Sequence, residues 1–304
     1  MPLRPKRKLF RDLEQDGVTY SFISEFMNCR EQARLSFVEG FTRDGIVEAL
    51  DFGTLFHTGL EVVANGKSVK AALTAMQTEE QKIIRDRKLK AREAAVVREL
   101  GYKARIVFPC YQEYWERKKG HEFRGKPVSS EESFALDHEI PWYFKDFEDN
   151  PKPTRRVKIR GRFDAIFRLK GKLWLMENKT KSMIDEEGLT ASLSQDLQTM
   201  LYCHAINLKY GEYPAGVLYN VIRRPQLKQG KGTFEEYMER IEKDVRGNPD
   251  WYFKRWEVTF GKDDVKNWVE RSLNPILTQV CMWWDEIKQN PFDPWKIPGR
   301  VHHF

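Results

Sequence analysis

The chain has 304 residues, 40% of them hydrophobic and 13% aromatic, enough for a substantial core in one large domain or two small ones. Its 32% charged residues and net charge of +7 argue against long disorder and favour a polyanionic partner, nucleic acid ahead of a membrane surface. No apolar run approaches the roughly 20 residues that a membrane span requires, the basic start MPLRPKRKLF leads into no apolar segment, and Cys29, Cys110, Cys203 and Cys281 lie far apart without a CxxC. This reads as a cytoplasmic protein with reduced thiols.

Residues 1–20 read as a basic arm. Ser21 or Ser24 is the expected cap of a helix running to Phe37. A second helix is expected from Gly53 to Gly66, and two long charged helices from Ser68 to Gly120, with a break at Gly101. Residues up to 147 mix strand-like runs with Pro127 and Pro141. Residues 157–179 then form a hairpin, and residues 192–210 a helix striped by Leu193, Leu197, Leu201, Ala205 and Leu208. GVLYNVI at 216–222 is a buried strand. Thr233 caps a helix with Glu236 as its capping-box partner. A strand at 256–260 and a helix opened by Asp263 or Asp264 complete the chain. The order predicts an α/β fold: a mixed central sheet flanked by helices, after a helical N-terminal portion at 21–125. The core lies at 126–222, and helices and a strand follow at 223–304, all in one domain from residue 21.

The hairpin carries the chemistry. It reads GRFDAIFRLKGKLWLMENK, and its two runs meet at Lys170-Gly171, a pair suited to a two-residue turn. In that register Asp164 faces Glu177 and Arg162 faces Lys179. Opposed like charges destabilise a strand pair by up to about 1 kcal/mol. A divalent cation turns that repulsion into coordination. Lys179 points to the same face as Glu177. A carboxylate pair beside a lysine is the outline of metal-dependent phosphodiester chemistry. The bland alternatives are a surface Asp164 and a Glu177 engaged only in a salt bridge with Lys179.

The following helix places Gln195, Gln198 and Tyr202 at i, i+3 and i+7, which is either a solvated face or a wall that hydrogen-bonds a phosphate or fixes Lys179. His57, with Glu61 one turn later, is either a satisfied core histidine or a ligand for an Mn²⁺-like ion. Arg155, Arg156, Lys158, Arg160 and Arg162 lead up to Asp164, and Arg223, Arg224, Lys228 and Lys231 follow the next strand. These are candidate phosphate contacts, whereas the basic helical residues between Arg85 and Arg105 read as a solvated face.

The ordered set GTLFH, GRFD, ENK and QDLQTMLY, with SFISEFMNCR before it, resembles the PD-(D/E)XK nuclease superfamily, specifically its RecB-like branch and phage-type exonucleases. The resemblance implies a restriction-endonuclease-like fold. It implies His57, Asp164, Glu177 and the backbone carbonyl of Asn178 as ligands of one or two Mg²⁺ or Mn²⁺ ions, with Glu61 as a further candidate. Lys179 would orient or deprotonate the attacking water, aided by Gln198 and Tyr202, which match a QxxxY motif. Arg160, Arg162, Lys181, Gln195, Arg223 and Arg224 would contact DNA, as single strands or duplex ends. A helicase, single-strand-binding or recombinase protein would be the protein partner, in replication, recombination or repair. Phe163 stands where the family name has a proline. Cys29 sits where some relatives carry the first of four cluster cysteines, but the C-terminal trio is absent, so no iron–sulfur cluster is expected. The alternatives are a structure-specific endonuclease and a non-catalytic nucleic-acid-binding module.

Overall fold

The computed structural model describes residues 4–5, 13–42, 45–118, 126–141, 154–185, 187–188 and 196–289. Its strands are β1 (Arg4–Pro5), β2 (Val18–Thr19), β3 (Phe41–Thr42), β4 (Lys126–Pro141), β5 (Thr154–Leu169), β6 (Lys172–Lys181), β7 (Gly216–Arg223) and β8 (Phe253–Thr259). The helices are α1 (Leu13–Asp16), α2 (Tyr20–Asn28), α3 (Arg30–Ala33), α4 (Glu48–Ala64), α5 (Val69–Asp86), α6 (Ala91–Arg117), α7 (Leu197–Tyr210), α8 (Phe234–Gly247), α9 (Pro249–Tyr252), α10 (Lys262–Trp268) and α11 (Asn274–Gln289). Single π-helical stretches follow α3 (Arg34–Val38) and join α10 to α11 (Val269–Leu273).

Lys170 and Gly171 both adopt positive φ, 48° and 81°, as a tight two-residue hairpin turn requires. The turn sets the register read from sequence, from Leu169↔Lys172 to Ala165↔Met176. That ladder stops one pair short of Asp164 and Glu177. β6 then runs parallel to β7, from Leu175↔Val217 to Lys181↔Arg223, and β7 pairs antiparallel with β8. β4 follows one edge of β5 from end to end. The other edge is shared, with β2 parallel at Ile159 and Arg160 and β6 antiparallel beyond Ala165. The result is a six-stranded mixed sheet in which β5 changes partner just before Asp164.

Helices cover both faces. Phe163, Leu175, Tyr219 and Val221 share a core with α2, α7 and α11. Ile222 and Phe253 share a second core with α4, α5, α6 and α8. β7 is buried at every position, as a continuous apolar run between two helical layers should be. Gly53 allows α4 to press against β6, since a Cβ there would lie 2.9 Å from Thr180 Oγ1.

Several boundaries differ from the sequence reading. Val18–Thr19, inside the expected arm, form a sheet strand. Thr19, rather than Ser21 or Ser24, caps α2 by accepting from the Phe22 N–H, and extended backbone at Cys29 separates α2 from α3. The break expected at Gly101 falls at residues 87–90, where Lys88 takes φ 51° and Glu93 accepts from the Lys90 N–H. α6 runs unbroken through Gly101, whose missing side chain leaves room for Glu80 and its ion pair with Arg105. α7 starts at Leu197 because Asp196 caps it, and the expected residues 192–195 lie outside the described ones. The Thr233–Glu236 capping box is present, with both of its reciprocal hydrogen bonds. Gly261 stands at the N-cap of α10, and Asp264 accepts from its N–H.

Candidate active site

The site forms where the β5–β6 ladder opens. Asp164 Oδ2 accepts from the Asn178 N–H at 2.7 Å, replacing the strand pairing that ends beside it. Glu177 and Lys179 follow Leu173 and Leu175 on one face of β6, and Lys179 Nζ donates to Glu177 Oε2 at 2.9 Å. It also donates to Gln198 Oε1 at 2.6 Å, from the first turn of α7. The salt bridge weighed against metal binding is therefore present, within the cluster itself. Tyr202, one turn further along α7, is buried edge-on to Phe134 and Phe163.

His57 reaches the same place from the opposite helical layer. Its Nε2 donates to the Asn178 carbonyl at 3.1 Å, and its Nδ1 lies 3.8 Å from Asp164 Oδ1. Two expected metal donors, His57 and the Asn178 carbonyl, are thus bonded to one another. Asn178 is held from below by a buried polar network: its side-chain oxygen accepts from Asn220, which also donates to Tyr111, while Arg255 donates to both Asn220 and Tyr111.

A third carboxylate, unnoticed in the sequence, enters from β4. The β4–β5 ladder passes from Ser130↔Ala165 to Glu132↔Phe163, leaving Glu131 opposite Asp164. Glu131 takes φ 49°, and its side chain is only 6% exposed. Arg162 Nε lies 2.9 Å from Glu131 Oε2, an ion pair without hydrogen-bond alignment. His57, Glu131 and Asp164 each bring a ligand atom within 4.8 Å of the others. The only trace in the sequence is the polar run Ser129–Ser133, where the apolar alternation of β4 is interrupted.

The electrostatics follow from burial. Burial raises Glu177, the nearby Lys179 charge opposes this, and the Asp164 charge adds to it. Burial likewise raises Asp164, against the hydrogen bond from Asn178. Glu131 is pushed up to about 7 by burial and then by the Asp164 charge. Burial and the Lys179 charge lower His57. Burial alone would lower Lys179, but the Glu177 charge and hydrogen bond carry it to about 12, so it is an ammonium held by hydrogen bonds to Glu177 and Gln198.

The donor set suits a hard divalent ion: besides the three clustered ligand atoms, Glu177 Oε1 is buried with no hydrogen-bond partner. The cluster opens into a cleft of about 650 Å³, lined among others by His57, Glu61, Arg162, Asp164, Lys179, Lys181 and Gln198. The other expected phosphate contacts are placed differently. Arg160 lies on β5 beside Thr19. Arg223 is buried and its guanidinium stacks 3.7 Å from the Trp251 ring centre. Arg224 pairs with Glu48, while Arg156 and Lys158 pair across the ladder with Glu139 and Asp137. Gln195 lies outside the described residues. No helix among the described residues is long and apolar enough to cross a membrane.

A mixed sheet that presents an aspartate, a Glu-x-Lys pair and a helix-borne histidine at one cleft defines a metal-binding hydrolase of nuclease type. The family model of the PD-(D/E)XK nuclease superfamily matches residues 18–297, and the chain belongs to that superfamily. No curated protein matches the chain. Among solved structures it is similar to one titled "Crystal structure of SSO0001", at 14% identity over 85% of each chain. Their TM-score of 0.28 is too low to support an argument.

Proposed function

We propose that the protein is a Mg²⁺- or Mn²⁺-dependent deoxyribonuclease of the RecB-like branch, acting as an exonuclease on DNA in replication, recombination or repair, in a phage setting. The order of the motifs supports the branch. The observation that carries the activity is the state of Lys179. An ammonium has three donors; two are taken by Glu177 and Gln198, and the residue lines the cleft. The third is available to a phosphate or water oxygen.

Hydrolysis joins a water oxygen to phosphorus and releases the 3′-oxygen, leaving a 5′-phosphate. His57, Asp164, Glu177 and the Asn178 carbonyl would hold the ion, with Glu61 on the same cleft wall. The bound ion supplies an acidified water and offsets charge building on the phosphoryl oxygens. Lys179 orients the water or the phosphate through its remaining N–H, and Gln198 fixes the ammonium. Arg162 and Lys181 meet the DNA backbone at the cleft. Tyr202 supports the wall behind Lys179.

End-labelled linear, nicked and covalently closed DNA, digested with Mn²⁺, tests this reading. Linear DNA should be degraded from its ends to 5′-phosphorylated products. Asp164→Ala should abolish cleavage, and Lys179→Ala should slow it by about 10²-fold or more. Full activity in either variant discards the assignment, and cutting of closed circles makes the enzyme an endonuclease.

A further inference from the structure

We propose that Glu131 is a further ligand for the divalent ion, joining His57 and Asp164 from a strand outside the carboxylate–lysine motif. This rests on the reading of the site as a metal-dependent nuclease. Three observations carry it. The Glu131, His57 and Asp164 ligand atoms lie within 4.8 Å of one another. A carboxylate and a neutral imidazole from separate elements, converging on a second carboxylate, form a donor set suited to Mn²⁺-like ions.

Second, the backbone goes out of its way to deliver this side chain. Glu131 occupies the left-handed region, where residues other than glycine are uncommon, within a 16-residue strand. Its carboxylate is almost wholly buried opposite Asp164. Two carboxylates placed so closely repel each other, and burial strengthens the repulsion. The cation now present is Arg162, which is 53% exposed and poorly aligned for a hydrogen bond. A long, half-exposed side chain is easily displaced by a divalent ion. Arg162 would then be released toward the cleft it already lines.

Third, Glu177 Oε1 is buried without a hydrogen-bond partner even though Oε2 is paired with Lys179, an observation independent of Glu131. Glu177 lies close enough to both Glu131 and Asp164 for their charges to act on one another. The competing explanation is that Glu131 only anchors Arg162.

Mn²⁺ binding to the full chain, followed by electron paramagnetic resonance and calorimetry, separates these cases. Two variants remove the carboxylate: Glu131→Gln, and Glu131→Gly, which suits the positive φ and so protects the fold. Loss of an outer partner of a metal ligand already costs about 10–100-fold in affinity, so each variant should bind Mn²⁺ at least about tenfold more weakly while keeping a cooperative thermal transition. Arg162→Ala removes the competing cation and should bind as tightly as wild type or more so. Wild-type affinity in the Glu131 variants overturns the proposal. So does equal weakening in Arg162→Ala, or failure of both Glu131 variants to fold, since Glu131 would then be structural. If the wild-type chain itself binds no Mn²⁺, the nuclease reading fails first.

Discussion

Lys179 shows how much of this site depends on single hydrogen bonds. Glu177 alone would leave the ammonium free to pivot about one contact. Gln198, arriving from the first turn of α7, gives it a second contact at 2.6 Å and so a direction. Gln198→Ala removes that direction without touching a carboxylate. A misplacement of about 1 Å can cost 10²-fold in rate, so cleavage should slow by about that factor while Mn²⁺ affinity stays unchanged. Single-turnover rates beside Mn²⁺ titrations check this, and an unaltered rate would mean Glu177 suffices. The residues that sequence reasoning identified are those whose chemistry is unusual for their surroundings: two acids and a lysine on apolar strands, and a histidine on an apolar helix. Glu131 was illegible because its signal is a backbone dihedral. Asn220 was illegible because a buried asparagine in GVLYNVI looks like any other strand residue until Tyr111, Asn178 and Arg255 are seen around it.

Among the elements, α4 sets the geometry of the histidine side. It lies close to β6 at Gly53 and close to α5 and α6 at Gly59, where a Cβ would sit 2.6 Å from the Phe108 ring and 2.9 Å from Met76 Sδ. Alanine is the better helix former by about 1 kcal/mol. Overpacking a dense core, however, costs about 1–3 kcal/mol, and the Phe108 ring is fully buried. Packing should win, and Gly59→Ala should lower stability in urea denaturation by about 1 kcal/mol; a gain would show that the layer yields easily. Local rules served well where local chemistry decides. The Lys170-Gly171 turn, the Thr233–Glu236 capping box and the apolar β7 all stand as read. They failed where a distant partner decides. Gly101 reads as a breaker, yet it is the space that Glu80 fills from the preceding helix, α5. Val18–Thr19 carry too little pattern to announce a strand, and only β5, far along the chain, makes them one.

Across the whole molecule, buried histidines tie the fold to pH. His204 on α7 bonds to His138 on β4, which bonds to Asn274 on α11. Burial, then the neighbouring His138, lowers His204 to about 3. An unfolded histidine titrates near 6.5, so below that pH the unfolded chain binds a proton that the folded chain refuses. The His204 contribution to stability should therefore fall with acid, by about 1.4 kcal/mol per pH unit between roughly 6 and 3.5. Glu131, raised to about 7, acts the opposite way between pH 7 and its unfolded value near 4.5, because there the folded chain holds the extra proton. The two contributions separate by substitution. His204→Gln should unfold with a shallower acid dependence than wild type in urea melts taken from pH 7 to pH 4. Parallel curves would show that His204 accepts a proton while folded.

The placement of the two main cores on opposite faces of the sheet bears on how such a protein fails. His57 belongs to one helical layer, whereas Lys179 and Gln198 work on the face of the other, and the Asn178 carbonyl of β6 is where the histidine meets the sheet. A slip of a single ångström between the layers would leave each core dry and each helix intact, yet would part the histidine from its carbonyl. Chemistry in a protein built this way is a finer gauge of alignment than any measure of folding, and warming should silence it while the chain still looks native.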